Sequence, residues 1–159
     1  MHIIPNKLYL VTGGSGFLGG DLVSRILSLG GRVRVLARNE GKLVSLKQKY
    51  PSIEISPGDI SDPLEVKQAY KGISGVFHLA ASKHVGLAEI FSRECIKTNV
   101  IGTMNVLNET LENKPDFVIG ISTDKAAQIS GVYGASKFLM ERLFKQYEQL
   151  NENTKYRIV

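Results

Sequence analysis

Residues 8–20, Leu8-Tyr9-Leu10-Val11-Thr12-Gly13-Gly14-Ser15-Gly16-Phe17-Leu18-Gly19-Gly20, constrain this chain more than any other stretch. A short apolar run, Lys7–Val11, reads as a strand. It meets a glycine-rich turn and then a segment with helical spacing. Glycines at 14, 16 and 19 fit G-x-G-x-x-G, and those at 13, 16 and 19 fit G-x-x-G-x-x-G. A turn this tight needs residues without a β-carbon, and so does a backbone that approaches a pyrophosphate closely. The helix that follows offers unpaired N–H groups and a partial positive charge at its start. A strand before and a helix after is the context in which such a turn holds a dinucleotide. Gly13, Ser15, Gly16, Phe17, Leu18 and Gly19 are therefore candidate cofactor-binding residues.

The alternation continues along the chain. Phe17–Leu29 places Phe17, Leu18, Leu22, Ile26 and Leu29 near one helical stripe, and Gly30-Gly31 stops it. Arg32–Ala37, Ser52–Ser56, Gly75–Ala80 and Asp116–Ser122 read as further strands, with helices at Lys42–Lys49, Pro63–Tyr70, Glu89–Asn113 and Val132–Leu150. Asp62 is a natural N-cap in front of Pro63. Strands this uniformly apolar, such as Phe117-Val118-Ile119, belong in a sheet buried on both faces. The expectation is an α/β, Rossmann-like, doubly wound parallel sheet. At 159 residues it forms one domain, 1–159. Tyr156–Val159 reads as the opening of a sixth strand with nothing to close it. The chain is therefore expected to be the N-terminal part of a longer enzyme, with the C-terminal substrate domain absent.

A net charge of +5 raises the question of nucleic acid, but the basic residues form no run and have no interleaved aromatics. A phosphate-rich cofactor and an anionic substrate account for the excess more simply. The single cysteine, Cys95, excludes an intrachain disulfide, and the three histidines have no ligand spacing, so no metal site is expected. No apolar run reaches the roughly eighteen residues that cross a bilayer, and the N-terminus has no secretory pattern. A cytoplasmic protein without a membrane partner is expected.

Four further stretches sit where a cofactor site needs them. The tip of the second strand carries Arg38 and Lys42 where a site for NAD usually places an acid; a cationic pair suits a 2′-phosphate, so NADP is favoured over NAD, with Glu40 as the competing acid. Asp59 and Ile60 end the third strand, either flanking an adenine ring or shaping a turn after Pro57-Gly58. Leu79, Ala80 and Ala81 leave the fourth strand, where small residues let a cofactor lie across the sheet. Tyr133 and Lys137, at i and i+4, share one helix face. A tyrosine base must be brought from a pKa near 10 toward the operating pH, which needs about 4 kcal/mol of differential stabilisation for three units. A neighbouring ammonium contributes to that shift.

The glycine turn, together with Tyr133-Gly134-Ala135-Ser136-Lys137, resembles the extended short-chain dehydrogenase/reductases. Ala80-Ala81-Ser82-Lys83-His84-Val85, Ile96-Lys97-Thr98-Asn99-Val100-Ile101-Gly102-Thr103 and Ser122-Thr123-Asp124-Lys125-Ala126 resemble their polysaccharide-biosynthesis branch, in particular the inverting UDP-N-acetylglucosamine 4,6-dehydratases. The resemblance implies a UDP-sugar substrate and a homo-oligomer. It implies that Tyr133 deprotonates the sugar 4-hydroxyl, that Lys137 holds the nicotinamide ribose and tunes Tyr133, and that Lys125 removes the C5 proton. Asp124 would protonate the departing C6 hydroxyl, and Thr123 would bond the substrate near C4. Lys83 and Asn99 would line the cofactor site. Two departures stand out: Gln128-Ile129-Ser130-Gly131 replaces the family's frequent Asn-Pro-x-Asn, and Leu79 replaces a frequent Ala. Two other functions fit the same residues. A 4-epimerase or reductase needs Tyr133 but not Lys125, and a non-catalytic NADP-binding regulatory domain needs neither.

Overall fold

The computed structural model describes residues 2–159. Six strands form one sheet: β1 (Leu8–Thr12), β2 (Arg32–Ala37), β3 (Glu54–Pro57), β4 (Gly75–His78), β5 (Phe117–Gly120) and β6 (Lys155–Ile158). Their spatial order is β3-β2-β1-β4-β5-β6, and every pairing is parallel. The order reverses between β1 and β4, where Thr12 lies opposite His78. In such sheets the crevice at the carboxyl ends of the strands flanking that reversal is where ligands bind.

Helices cover the sheet as the sequence patterns require. On β1, Tyr9 and Val11 face one side with Val23, Ile26 and Leu43 from α1 (Phe17–Ser28) and α2 (Glu40–Lys49). Leu8 and Leu10 face the other side with Val66, Tyr70, Val106, Leu107, Met140 and Phe144. The latter come from α3 (Pro63–Ala69) and its C-cap Tyr70, from α6 (Gly102–Asn113) and from α7 (Val132–Leu150). This two-sided burial explains why the central strands β1, β4 and β5 lack a polar face. Asp62 caps α3 by accepting from the backbone of Leu64 and Glu65 with Pro63 at the first position, and Asn39 caps α2 by accepting from Lys42 N at 2.9 Å.

Two expectations change. The apolar stripe on α1 is buried only in part: Ile26 is buried and Leu22 half-buried against the sheet, beside Gly19 and Val23, whereas Phe17 is 90% exposed and Leu18 and Leu29 are also exposed. Phe17 and Leu18 stand at the helix mouth, beyond the strands they would have to pack on. The helix expected over Glu89–Asn113 is interrupted. α4 (Val85–Ile90) ends at Phe91, whose φ of −114° and ψ of 53° leave the helical region, and α5 (Ser92–Ile96) follows. One wide π-type turn, Lys97–Ile101, then joins α5 to α6. A wide turn shifts side chains around the axis and is common at functional sites; this one buries Thr98 and Asn99. No helix among the described residues is long and apolar enough to cross a membrane.

Candidate active site

The glycine turn places the start of α1 against the ends of β1 and β4. Gly13 adopts φ +70°, and a β-carbon there would lie 2.7 Å from the backbone nitrogen of Ala80. At Gly19 it would lie 2.5 Å from the carbonyl oxygen of Gly14, so helix and turn touch backbone to backbone. No side chain caps α1 at Gly16, and its first turn holds no acidic residue. The positive end of the helix is thus turned to the crevice, with geometry that suits a pyrophosphate.

A cleft of about 490 Å³ runs along these strand ends. It gathers Gly13, Ser15, Gly16, Phe17, Leu18 and Gly19 from the turn, Arg38 and Lys42 beyond β2, and Asp59 and Ile60 beyond β3. Leu79, Ala80, Ala81 and Lys83 line it beyond β4, and Tyr133 and Lys137 line it from α7. Residues that sequence reasoning missed also line it, among them Asn39, Thr98, Ile121 and Ser122. Arg38 lies 3.7 Å from the Asp59 carboxylate and is 62% exposed, so the pair is a loose one. Asp59 also shapes the local turn, accepting from Ser61 N at 2.9 Å, while it lines the cleft. Glu40 lies in an adjoining shallow recess with Arg38 and Asp59, outside the lining of the main cleft.

Asn99, expected in the cofactor site, does not line the cleft. It is 1% exposed and works behind the wall. Its Oδ1 accepts from Ser82 N at 2.7 Å, and its Nδ2 donates to Ser82 O at 3.0 Å and Ser136 Oγ at 2.9 Å. Ser136 in turn donates to the carbonyl oxygen of Tyr133 at 2.7 Å. The wide turn thus ties the loop after β4 to the helix that carries Tyr133.

The network continues to the glycine turn. Thr103 Oγ1 donates to Asn99 O at 2.7 Å, so its oxygen can only accept from His78 Nε2, 3.0 Å away. His78 therefore carries its proton on Nε2, and Nδ1 accepts from Thr12 Oγ1 at 2.8 Å. Thr12 Oγ1 accepts from Ala80 N at 3.2 Å. Burial first, and the Lys137 charge second, lower the His78 pKa to about 3, which keeps the ring neutral.

Lys137 is 4% exposed, and its Nζ donates to Ile121 O at 2.5 Å. Burial lowers its pKa to about 8, against the opposing charge of Glu141. Glu141 also accepts from Ser122 Oγ at 2.5 Å, which fixes the strand-end loop over the helix. Thr123, Asp124 and Lys125 lie outside the cleft lining, on the short turn that follows β5. The Thr123 hydroxyl donates to Asp124 Oδ1 at 3.0 Å. That bond, followed by the Lys125 charge, holds the exposed Asp124 carboxyl below the usual carboxylate range. The turn is pressed onto α7 at one point: a β-carbon on Gly134 would collide with the Lys125 carbonyl oxygen. The Lys125 backbone is thereby packed against the first turn of α7 at Gly134, the residue that follows Tyr133. Among the described residues no group of three or more metal-ligating side chains gathers.

The sequence profile of the polysaccharide biosynthesis protein family matches residues 9–159. A protein of Methanocaldococcus jannaschii, described as an uncharacterized membrane protein, is 41% identical over 89% of this chain and 44% of its own length. A UDP-glucose 4-epimerase of Rickettsia rickettsii is 37% identical over 87% of this chain and 42% of its own length. The chain thus spans about half the length of the curated relatives it matches. The crystal structure of Pen from Bacillus thuringiensis superposes with a TM-score of 0.95 at 31% identity, covering 99% of this chain and 50% of that one. DesIV, a dTDP-glucose 4,6-dehydratase from Streptomyces venezuelae solved with NAD bound, gives 0.83 at 25% identity over 95% of this chain and 54% of that one. The chain belongs to the polysaccharide biosynthesis protein family, within the superfamily of nucleotide-sugar epimerases and dehydratases.

Proposed function

We propose that this chain is the cofactor-binding half of a nucleotide-sugar 4,6-dehydratase that uses NADP and acts on a UDP-N-acetylglucosamine-like substrate. The observation that carries the reading is the packing of the Thr123–Asp124–Lys125 turn onto α7 beside Tyr133, through Gly134. A second ionisable pair next to the Tyr133–Lys137 pair is what an elimination needs and a plain oxidation does not.

The residues present fit a nicotinamide dinucleotide. The turn at Gly13 and Gly19 leaves no room for a β-carbon, and the uncapped start of α1 suits the pyrophosphate. Arg38 and Lys42 would hold a 2′-phosphate at the tip of β2, where Asp59 pairs loosely with Arg38 and Glu40 lies outside the cleft lining. When bound, such a cofactor supplies temporary storage for the hydride that leaves C4 and returns at C6.

Tyr133 takes the proton of the sugar 4-hydroxyl, aided by the Lys137 ammonium on the same helix face. Lys125 takes the C5 proton, made acidic by the new C4 ketone, and C5 is reprotonated before product leaves. Asp124 gives a proton to the C6 hydroxyl as the C6–O bond breaks. The proton taken at O4 balances the one spent on the leaving group, so the net change is loss of one water. In the open protein Asp124 is a solvated carboxylate. For Asp124 to act as acid and Lys125 as base, a bound substrate must exclude that water, so that the Lys125 ammonium passes its proton to the Asp124 carboxylate before the C5 proton is removed.

A 4-epimerase is the second reading, favoured by the name of the Rickettsia relative. The two separate at Lys125. In the intact protein, Lys125→Ala stops water loss while preserving transient reduction of the cofactor, whereas Tyr133→Phe stops both. Full turnover in Lys125→Ala removes the dehydratase assignment.

A further inference from the structure

α7 carries Tyr133 in its first turn, yet its own N-cap, Gly131, has no side chain to satisfy the free N–H groups there. The acceptor comes from another helix. Glu89 of α4 accepts from the backbone nitrogen of Val132 with Oε1 at 2.7 Å, across 43 residues of sequence. The contact is close enough that a β-carbon on Gly131 would strike the same carboxylate oxygen. Gly131 has φ −175°, extended backbone that any residue adopts, so space for Glu89 is what excludes a side chain.

The first turn of α7 is thus clamped from both sides. The Glu89 carboxylate holds it at Gly131 and Val132, and the Lys125 carbonyl presses on it at Gly134. Tyr133 lies between these two contacts. A carboxylate at this end also suits the helix dipole. We propose that Glu89 is a positioning residue for Tyr133: it fixes the first turn of α7 and, through it, the phenol at the cleft wall. The catalytic consequence rests on the role given to Tyr133 above; the latch itself does not.

The test uses the intact protein with Glu89→Ala and Glu89→Gln. Backbone amide exchange is followed at Val132, and turnover on UDP-N-acetylglucosamine is split into kcat and KM. Glu89→Ala is expected to speed exchange at Val132 about fivefold, the fold-change that typical loss of a cap corresponds to. It is expected to lower kcat about tenfold while leaving the KM for sugar and the affinity for NADP within about twofold, as misplacement of a reacting group does. Glu89→Gln keeps an acceptor oxygen and should restore both readouts. Unchanged exchange or unchanged kcat in Glu89→Ala overturns the proposal, as does a Glu89→Gln protein as impaired as Glu89→Ala. If Glu89→Ala does not fold, Gly131→Ala displaces the carboxylate without removing it and should reproduce the same pattern; wild-type behaviour there overturns the latch. If the wild type turns over no sugar nucleotide, the functional assignment fails separately, and exchange at Val132 still decides whether the latch exists.

Discussion

Lys137 donates from Nζ to the carbonyl oxygen of Ile121 at 2.5 Å, from a side chain that is almost wholly buried. The amine therefore reports on the strand end that leads into the Thr123–Asp124–Lys125 turn as much as on Tyr133. Burial lowers its pKa from 10.5 to about 8 in the folded protein. Between those values the unfolded chain binds more protons, so stability rises with pH through that window. Lys137→Met should remove this rise, by up to about 1.4 kcal/mol per pH unit. Denaturant unfolding of both proteins across the window checks it, since other titrations cancel in the difference; parallel curves contradict the burial.

His78 gives the opposite end of the pH scale. Its pKa falls from 6.5 to about 3 on folding, with the ring neutral between Thr12 and Thr103. The unfolded chain binds the extra proton between those values, so stability drops as pH falls through that window. His78→Asn should be less stable at neutral pH by about 1–3 kcal/mol, the typical cost of buried groups losing partners. It should also show a flatter loss on acidification. Urea titrations at several pH values measure both.

Gly134→Ala forces a β-carbon onto the Lys125 carbonyl. Overpacking of this kind costs about 1–3 kcal/mol, and here it also pushes the Lys125 turn from Tyr133. A lower melting temperature with a disproportionate loss of turnover is expected, compared with a helix substitution remote from the turn. Wild-type turnover would show that the backbone contact does not set the relation of the two residues.

Arg38→Asp replaces a cation at the tip of β2 with the acid that a ribose hydroxyl prefers. One charge-assisted contact is worth about 1.5–3 kcal/mol, so the NADP-to-NAD affinity ratio should fall by about ten- to a hundred-fold. Titration of both dinucleotides gives the ratio directly. An unchanged ratio excludes Arg38 from 2′-phosphate recognition.

The sequence made the sheet legible because its signals are local. The β-branched run Arg32–Ala37 and the span Val132–Leu150 emerge with the bounds they have in the structure. The line of glycines, Arg38 with Lys42, and Tyr133 with Lys137 are legible as the lining of one candidate cleft because each lies at a strand end or on one helix turn. What was not legible depends on partners far away in sequence. Periodicity could not tell that Phe17 and Leu18 overhang the cleft, because it gives the phase of a face and not what lies beneath it. The wide turn at Lys97–Ile101 has no composition of its own, so Asn99 could not be assigned to the back of the wall. Glu89 gave no local signal, since its function is defined by Val132.

The most direct measurement is mass spectrometry of the nucleotide sugar after incubation of the intact protein with UDP-N-acetylglucosamine and catalytic NADP. The account predicts a product lighter by one water, with no net consumption of NADP. A product of unchanged mass with inverted C4 would contradict it and assign an epimerase instead; an unaltered sugar would exclude this substrate.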